Sequence, residues 1–151
     1  MAVTVNASTS SGLVWSSDNT GAMEFQTNGT TVASTATNGN FAFNSGYGSA
    51  ATAYACRAWV NFNGTGTVAI RGSGNVTSIT DNAVGSYTIN FTSALVDANY
   101  AVGIVVGNTT ATALGKISDS VAPTTSAINI STLNTSFGGL DIAVVTVSVF
   151  R

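Results

Sequence analysis

The chain has 151 residues, of which 7% are charged against about 25% in an ordinary soluble protein, and its formal net charge is −2. Four basic residues are too few for the phosphate neutralisations on which nucleic-acid affinity rests, so that class of partner is set aside. The absence of histidine removes Ser-His-Asp and Cys-His catalysis and any histidine ligand for zinc.

A chain of this length holds one moderate core, or a domain of about 100 residues with a short appended module. Its polar surface is made of Ser, Thr, Asn and Gly rather than charge. That favours burial of the surface against copies of itself or against neighbours, since a free monomer usually relies on net charge to stay in solution. The N-terminus lacks the basic segment and apolar run of a secretory signal, and the apolar runs are only of strand length, so no membrane insertion is expected. A single cysteine, Cys56, cannot form an internal disulfide. It reads as a small buried hydrophobe in a strand, which suits synthesis in a reducing cytoplasm.

In chain order, residues 1–11 form a polar arm, followed by Leu13, Val14 and Trp15 and by the turn-forming Asp18-Asn19-Thr20-Gly21. Met23 and Phe25 share one face of a strand, and Asn28-Gly29 supplies a two-residue hairpin turn into Thr30, Thr31 and Val32. Residues 12–33 are thus a small hairpin module, marginal unless packed on something. Residues 34–54 are rich in Ala, Ser, Thr, Asn and Gly and read as a linker or irregular loop. Its aromatics Phe41, Phe43 and Tyr47 either anchor the loop onto a sheet, the preferred reading, or form an exposed recognition loop.

The most ordered pattern follows. Cys56, Ala58, Val60 and Phe62 alternate inward, and Arg57, Trp59, Asn61 and Asn63 outward. An outward Trp59 beside Arg57 is anomalous. An oligomer contact is the first explanation, packing beneath a loop the second and a sugar-stacking platform the third. Asn63-Gly64-Thr65-Gly66 and Gly72-Ser73-Gly74-Asn75 read as turns flanking a strand at Val68–Arg71, with Val76–Thr80 next; the Gly-x-Gly pairs complete no dinucleotide fingerprint. After Asp81–Gly85, Tyr87, Ile89 and Phe91 define a half-buried strand. Residues 100–106 alternate bulky side chains with Ala101 and Gly103, as where another layer approaches closely. Lys116, Ile117, Asp119 and the single proline, Pro123, read as a loop, and residues 127–133 as a strand carrying Ile128 and Ile130. The last strand, residues 140–150, is apolar on both faces and therefore central.

Residues 56–100 resemble a domain of tail-fibre and related structural proteins of bacteriophages, especially phages of marine cyanobacteria. The likeness is carried by Cys56–Phe62, Gly74-Asn75-Val76, Ser78–Asn82, Tyr87–Phe91 and Asp97-Ala98-Asn99-Tyr100. Upstream, residues 21–30 are similar to short strand units that precede such domains. The pattern departs at Val96, where proline is expected, and at Ala83, where glycine is expected. The resemblance implies a virion protein, a trimer, and no catalytic residues.

The expectation is therefore an all-β protein in two parts: residues 1–53 as arm, hairpin and linker for attachment or oligomerisation, and residues 54–151 as an antiparallel β-sandwich or jelly-roll-like domain. Its function is that of a tail fibre or fibre-like appendage in host attachment, or alternatively of a capsid decoration protein that stabilises the shell. The expected partners are copies of itself, other virion proteins and host surface polysaccharide, and no cofactor is expected. Arg57, Trp59, Phe41, Phe43 and Tyr47 are the candidate contact residues. A glycosidase pair among Asp81, Asp97 and Asp119, or calcium at Asp81-Asn82 or Asp97–Asn99, is the enzymatic or metal alternative, and neither follows a dedicated spacing. Asn-x-Ser/Thr triplets such as Asn28-Gly29-Thr30 are what this composition produces by chance.

Overall fold

The computed structural model describes residues 22–44, 46, 48–107 and 112–151, and the chain divides into two compact units between Ala53 and Tyr54. Among the described residues every regular element is a β-strand. The expected residues Leu13, Val14, Trp15 and Tyr47 lie outside the described residues.

The first unit is a four-stranded antiparallel sheet in the order β1-β2-β3-β4, formed by Met23–Thr27, Thr30–Thr35, Phe41–Phe43 and Ala51–Thr52. Asn28 and Gly29 both have positive φ, 50° and 74°, the backbone of the two-residue turn that matches the twist of its flanking strands. Within residues 34–54, expected to be a linker, β3 and β4 instead complete this sheet. β3 and β4 are only 3 and 2 residues long. They are held by main-chain bonds such as Asn44 N to Val32 O at 2.8 Å and Ala53 N to Phe41 O at 2.8 Å.

The second unit is a sandwich of two four-stranded antiparallel sheets. One has the order β6-β5-β12-β9, from Ala69–Gly74, Cys56–Asn63, Val144–Phe150 and Ala101–Gly107. The other has the order β10-β11-β8-β7, from Ala113–Ile117, Ala127–Asn134, Ser86–Phe91 and Val76–Ala83. Period-two alternation makes the core: Ala58, Val60 and Phe62 with Val145, Val147 and Val149 from one sheet meet Tyr87, Ile89, Phe91, Ile128 and Ile130 from the other. Phe62 and Tyr87 pack edge to face with ring centroids 5.2 Å apart. β12 is central, between β5 and β9, as its apolar run predicts. It starts at Val144, later than expected.

Three further expectations change. Lys116 and Ile117 lie in strand β10, not in a loop. Gly72 and Gly74 lie within β6, whose successor β7 belongs to the opposite sheet, so they are not hairpin glycines. Asn75, at φ 55°, makes the crossing between sheets; its side-chain amide donates to Arg57 O and Ser93 O, each at 3.1 Å. Finally, Cys56 is exposed and not part of the core. The register slips between Val149 and Phe150, so the inward alternation of β5 ends at Ala58.

Candidate functional site

The outer face of the β6-β5-β12-β9 sheet is built by the residues that alternate away from the core. Cross-strand register sets Gly74, Trp59, Ser148 and Gly103 in one row, and Gly72, Asn61, Thr146 and Val105 in the next. Trp59 is 47% exposed, as its outward position requires. Its indole lies across β6. A Cβ at Gly72 would sit 3.4 Å from the ring, and one at Gly74 would overlap the indole nitrogen. Glycine at both positions thus lets a large flat ring rest on the neighbouring backbone, the aromatic cover of strand glycines that also restores their lost packing.

Beside the indole, an open trough of about 380 Å³ crosses β12 to β9, lined by Trp59, Asn61, Gly103, Val105, Thr146 and Ser148. Glycine again sets the shape: the Ser148 hydroxyl sits 3.0 Å from where a Cβ of Gly103 would be. Most of the lining is apolar with a few polar groups, the composition of a small-ligand surface. Thr146 Oγ1 donates to Val105 O at 3.1 Å. Arg71 anchors the far side through Nη2 to Ala143 O at 2.6 Å, and its Nη1 donates to Asn61 Oδ1 at 3.4 Å, which orients that amide. None of β5, β6, β9 and β12 contains an aspartate or glutamate, whereas β5 and β6 contribute Arg57 and Arg71. The strands that build the face thus bring it no acidic side chain.

The candidate residues separate into two groups. Arg57 and Trp59 are both exposed on β5 of the second unit. Phe41 and Phe43 lie in strand β3 of the first unit with their rings stacked 6.5 Å apart, so they belong to a sheet rather than to a recognition loop. Asp97, Asp119 and Asp141 have structural partners, and Asp81 lies in strand β7. Asp97 bonds Arg151 Nε at 2.9 Å, and this guanidinium together with the Asn99 amide holds its carboxyl below the usual carboxylate range. Asp119 pairs with Lys116. Asp141 Oδ1 accepts from Gly85 N at 2.7 Å and from the Tyr87 hydroxyl at 2.8 Å. Burial, and then the Asp141 carboxylate, pushes the Tyr87 phenol well above its ordinary range. Among the described residues no cluster of three or more His, Cys, Asp or Glu could hold a metal ion.

Sequence reasoning places Trp59 outward but misses Gly72, Gly74, Gly103 and Ser148. The signal was an outward aromatic together with Gly-x-Gly in the following strand, which becomes meaningful only when the register sets them side by side.

No protein-family model matches the chain, and neither does any curated protein. Among solved structures, the chain is similar to the tailspike of phiAB6, determined in complex with three-repeated oligosaccharides of Acinetobacter baumannii surface polysaccharide. The identity is 14% and the TM-score 0.48, over 99% of this chain and 30% of that one. This chain thus spans under a third of the length of that protein, and a likeness at this level carries no argument about function.

Proposed function

We propose that the chain is a structural protein of a bacteriophage particle, a tail fibre or fibre-like appendage that assembles as a homotrimer and contacts saccharide of the host surface through the Trp59 face. The observation that carries the ligand is the indole held flat over Gly72 and Gly74 with its other side open beside the trough. A sugar presents an apolar C–H face that stacks on such a ring and hydroxyls that reach Ser148 and Asn61. The setting rests on the resemblance of residues 56–100 to virion appendage domains. Weak individual sites suffice there, because copies in one particle bind together and the effective concentration of each is high.

Two measurements test the reading. Gold-labelled antibody on intact particles is expected on the tail; label over the shell alone overturns the fibre assignment in favour of shell decoration. Titration with envelope polysaccharide of marine cyanobacteria is expected to show binding that Trp59→Ala weakens at least tenfold, a loss typical of a truncated aromatic anchor. Equal binding by the variant overturns the role of Trp59.

A further inference from the structure

The sheet of the first unit has two chemically distinct faces. Across the strands, Phe25, Ala33, Phe43 and Ala51 form one row, and Met23, Thr35 and Phe41 form the next row of the same face. The opposite face carries Glu24, Ser34, Ala42 and Thr52, where the Glu24 carboxylate accepts from Gln26 Nε2 and from Thr31 Oγ1, each at 3.0 Å. The apolar face has no charged residue, yet Phe25, Phe41 and Phe43 are 47%, 48% and 44% exposed. An apolar sheet face needs a second layer.

We infer that this face is the surface through which copies of the chain associate, each packing its phenylalanines against the same face of another. Two features favour a second copy as the occupant. The row Phe25, Ala33, Phe43, Ala51 alternates large and small side chains, so a ring of one copy fits over an alanine of the other, and the face is complementary in shape to itself. The one carboxylate of the sheet strands, Glu24, is on the far side, so identical faces meet without repulsion. With about 150–250 Å² per aromatic ring, half-exposed rings offer about 300 Å² per copy. A pair then buries about 600 Å², well below the roughly 1,200 Å² lower bound of stable specific interfaces. Association through this face is accordingly concentration-dependent. A face that pairs with itself closes a contact between two copies, so the inference shares with the reading above only the association of copies, not its threefold order, and is independent of its ligand.

The test is sedimentation of the full chain across the micromolar range, with Ala33→Asp compared with Ser34→Asp. These neighbours lie on opposite faces of β2, so one variant places a carboxylate in the centre of the apolar face and the other places it on the polar face. Ala33→Asp is expected to weaken association at least tenfold and Ser34→Asp to leave it unchanged. Phe43→Thr, which keeps strand propensity, is expected to follow Ala33→Asp; circular dichroism verifies the fold of each variant. A wild-type chain that stays monomeric throughout overturns both the oligomer and this surface. A wild-type oligomer that both aspartates weaken alike, or that neither weakens, overturns the surface alone.

Discussion

The sandwich after Tyr54 and the four-stranded sheet before it use phenylalanine in opposite ways. Phe62 is 0% exposed and meets Tyr87 from the facing sheet, whereas Phe43, in an equally regular strand, keeps 44% of its surface open. The difference is the second layer. In the sandwich, two sheets supply each other's apolar cover, so alternation of side chains ends in a closed core. In the first unit the same alternation leaves Phe25, Phe41 and Phe43 about half exposed, with no facing sheet among the described residues of that unit, so the pattern that makes a core in one place makes an apolar surface in the other.

The sharpest way to break this comparison is to truncate the buried ring. Phe62→Ala is expected to cost about 3–5 kcal/mol, because neighbours as fully buried as Tyr87 and Val145 cannot close the cavity. Amide hydrogen exchange at Ile89 and Ile130 reads the loss. A cost below about 1 kcal/mol, the range of volume-tolerant sites, would mean that the core between the sheets is looser than its burial indicates.

A smaller effect probes the polar link within the same core. Tyr87→Phe removes the hydroxyl that bonds Asp141 Oδ1 at 2.8 Å and Gly64 O at 3.0 Å, and is expected to cost about 1–3 kcal/mol. Its pH dependence has a definite sign. The folded phenol titrates above its unfolded value of about 10, so the stabilisation is complete below pH 10 and is lost as pH rises beyond it. Urea denaturation as a function of pH is expected to show this alkaline decline in the wild type and a smaller one in Tyr87→Phe, with Tyr100, also raised by burial, supplying the remainder. Identical alkaline profiles would refute the assignment.

What the sequence makes legible follows the same division. Ser86–Phe91 and most of Cys56–Asn63 are evident because large apolar residues at every second position are what two facing sheets require. β3, β4 and β10 are not, because strands of 3, 2 and 5 residues are too short for period-two alternation to stand out, even where β3 reads Phe-Ala-Phe. The Trp59 face was half legible. Alternation turns the indole outward, but Gly72 and Gly74 have the composition of a turn, and only the pairing of β5 with β6 shows that they lie beneath the ring. Cys56 misleads for a related reason: alternation assigns it inward, and a slip in the pairing of β5 with β12, where Arg57 is the extra residue of β5, leaves it exposed.

The smallest expected effect sharpens the comparison from the exposed side. With the chain diluted until it is monomeric, Phe43→Ala is expected to cost about 1–1.5 kcal/mol in the first sheet, since full burial of such a ring contributes about 1.5–3 kcal/mol and this one is little more than half covered. Exchange at Ile89 and Ile130 in the sandwich should not change. At concentrations where copies associate, the same substitution should cost more, because the assembled state completes the burial that the monomer lacks. That dependence on concentration separates an adhesive face from a merely exposed one: a cost that stays constant from dilute to concentrated protein would show that Phe43 is as open in the assembly as in the single chain.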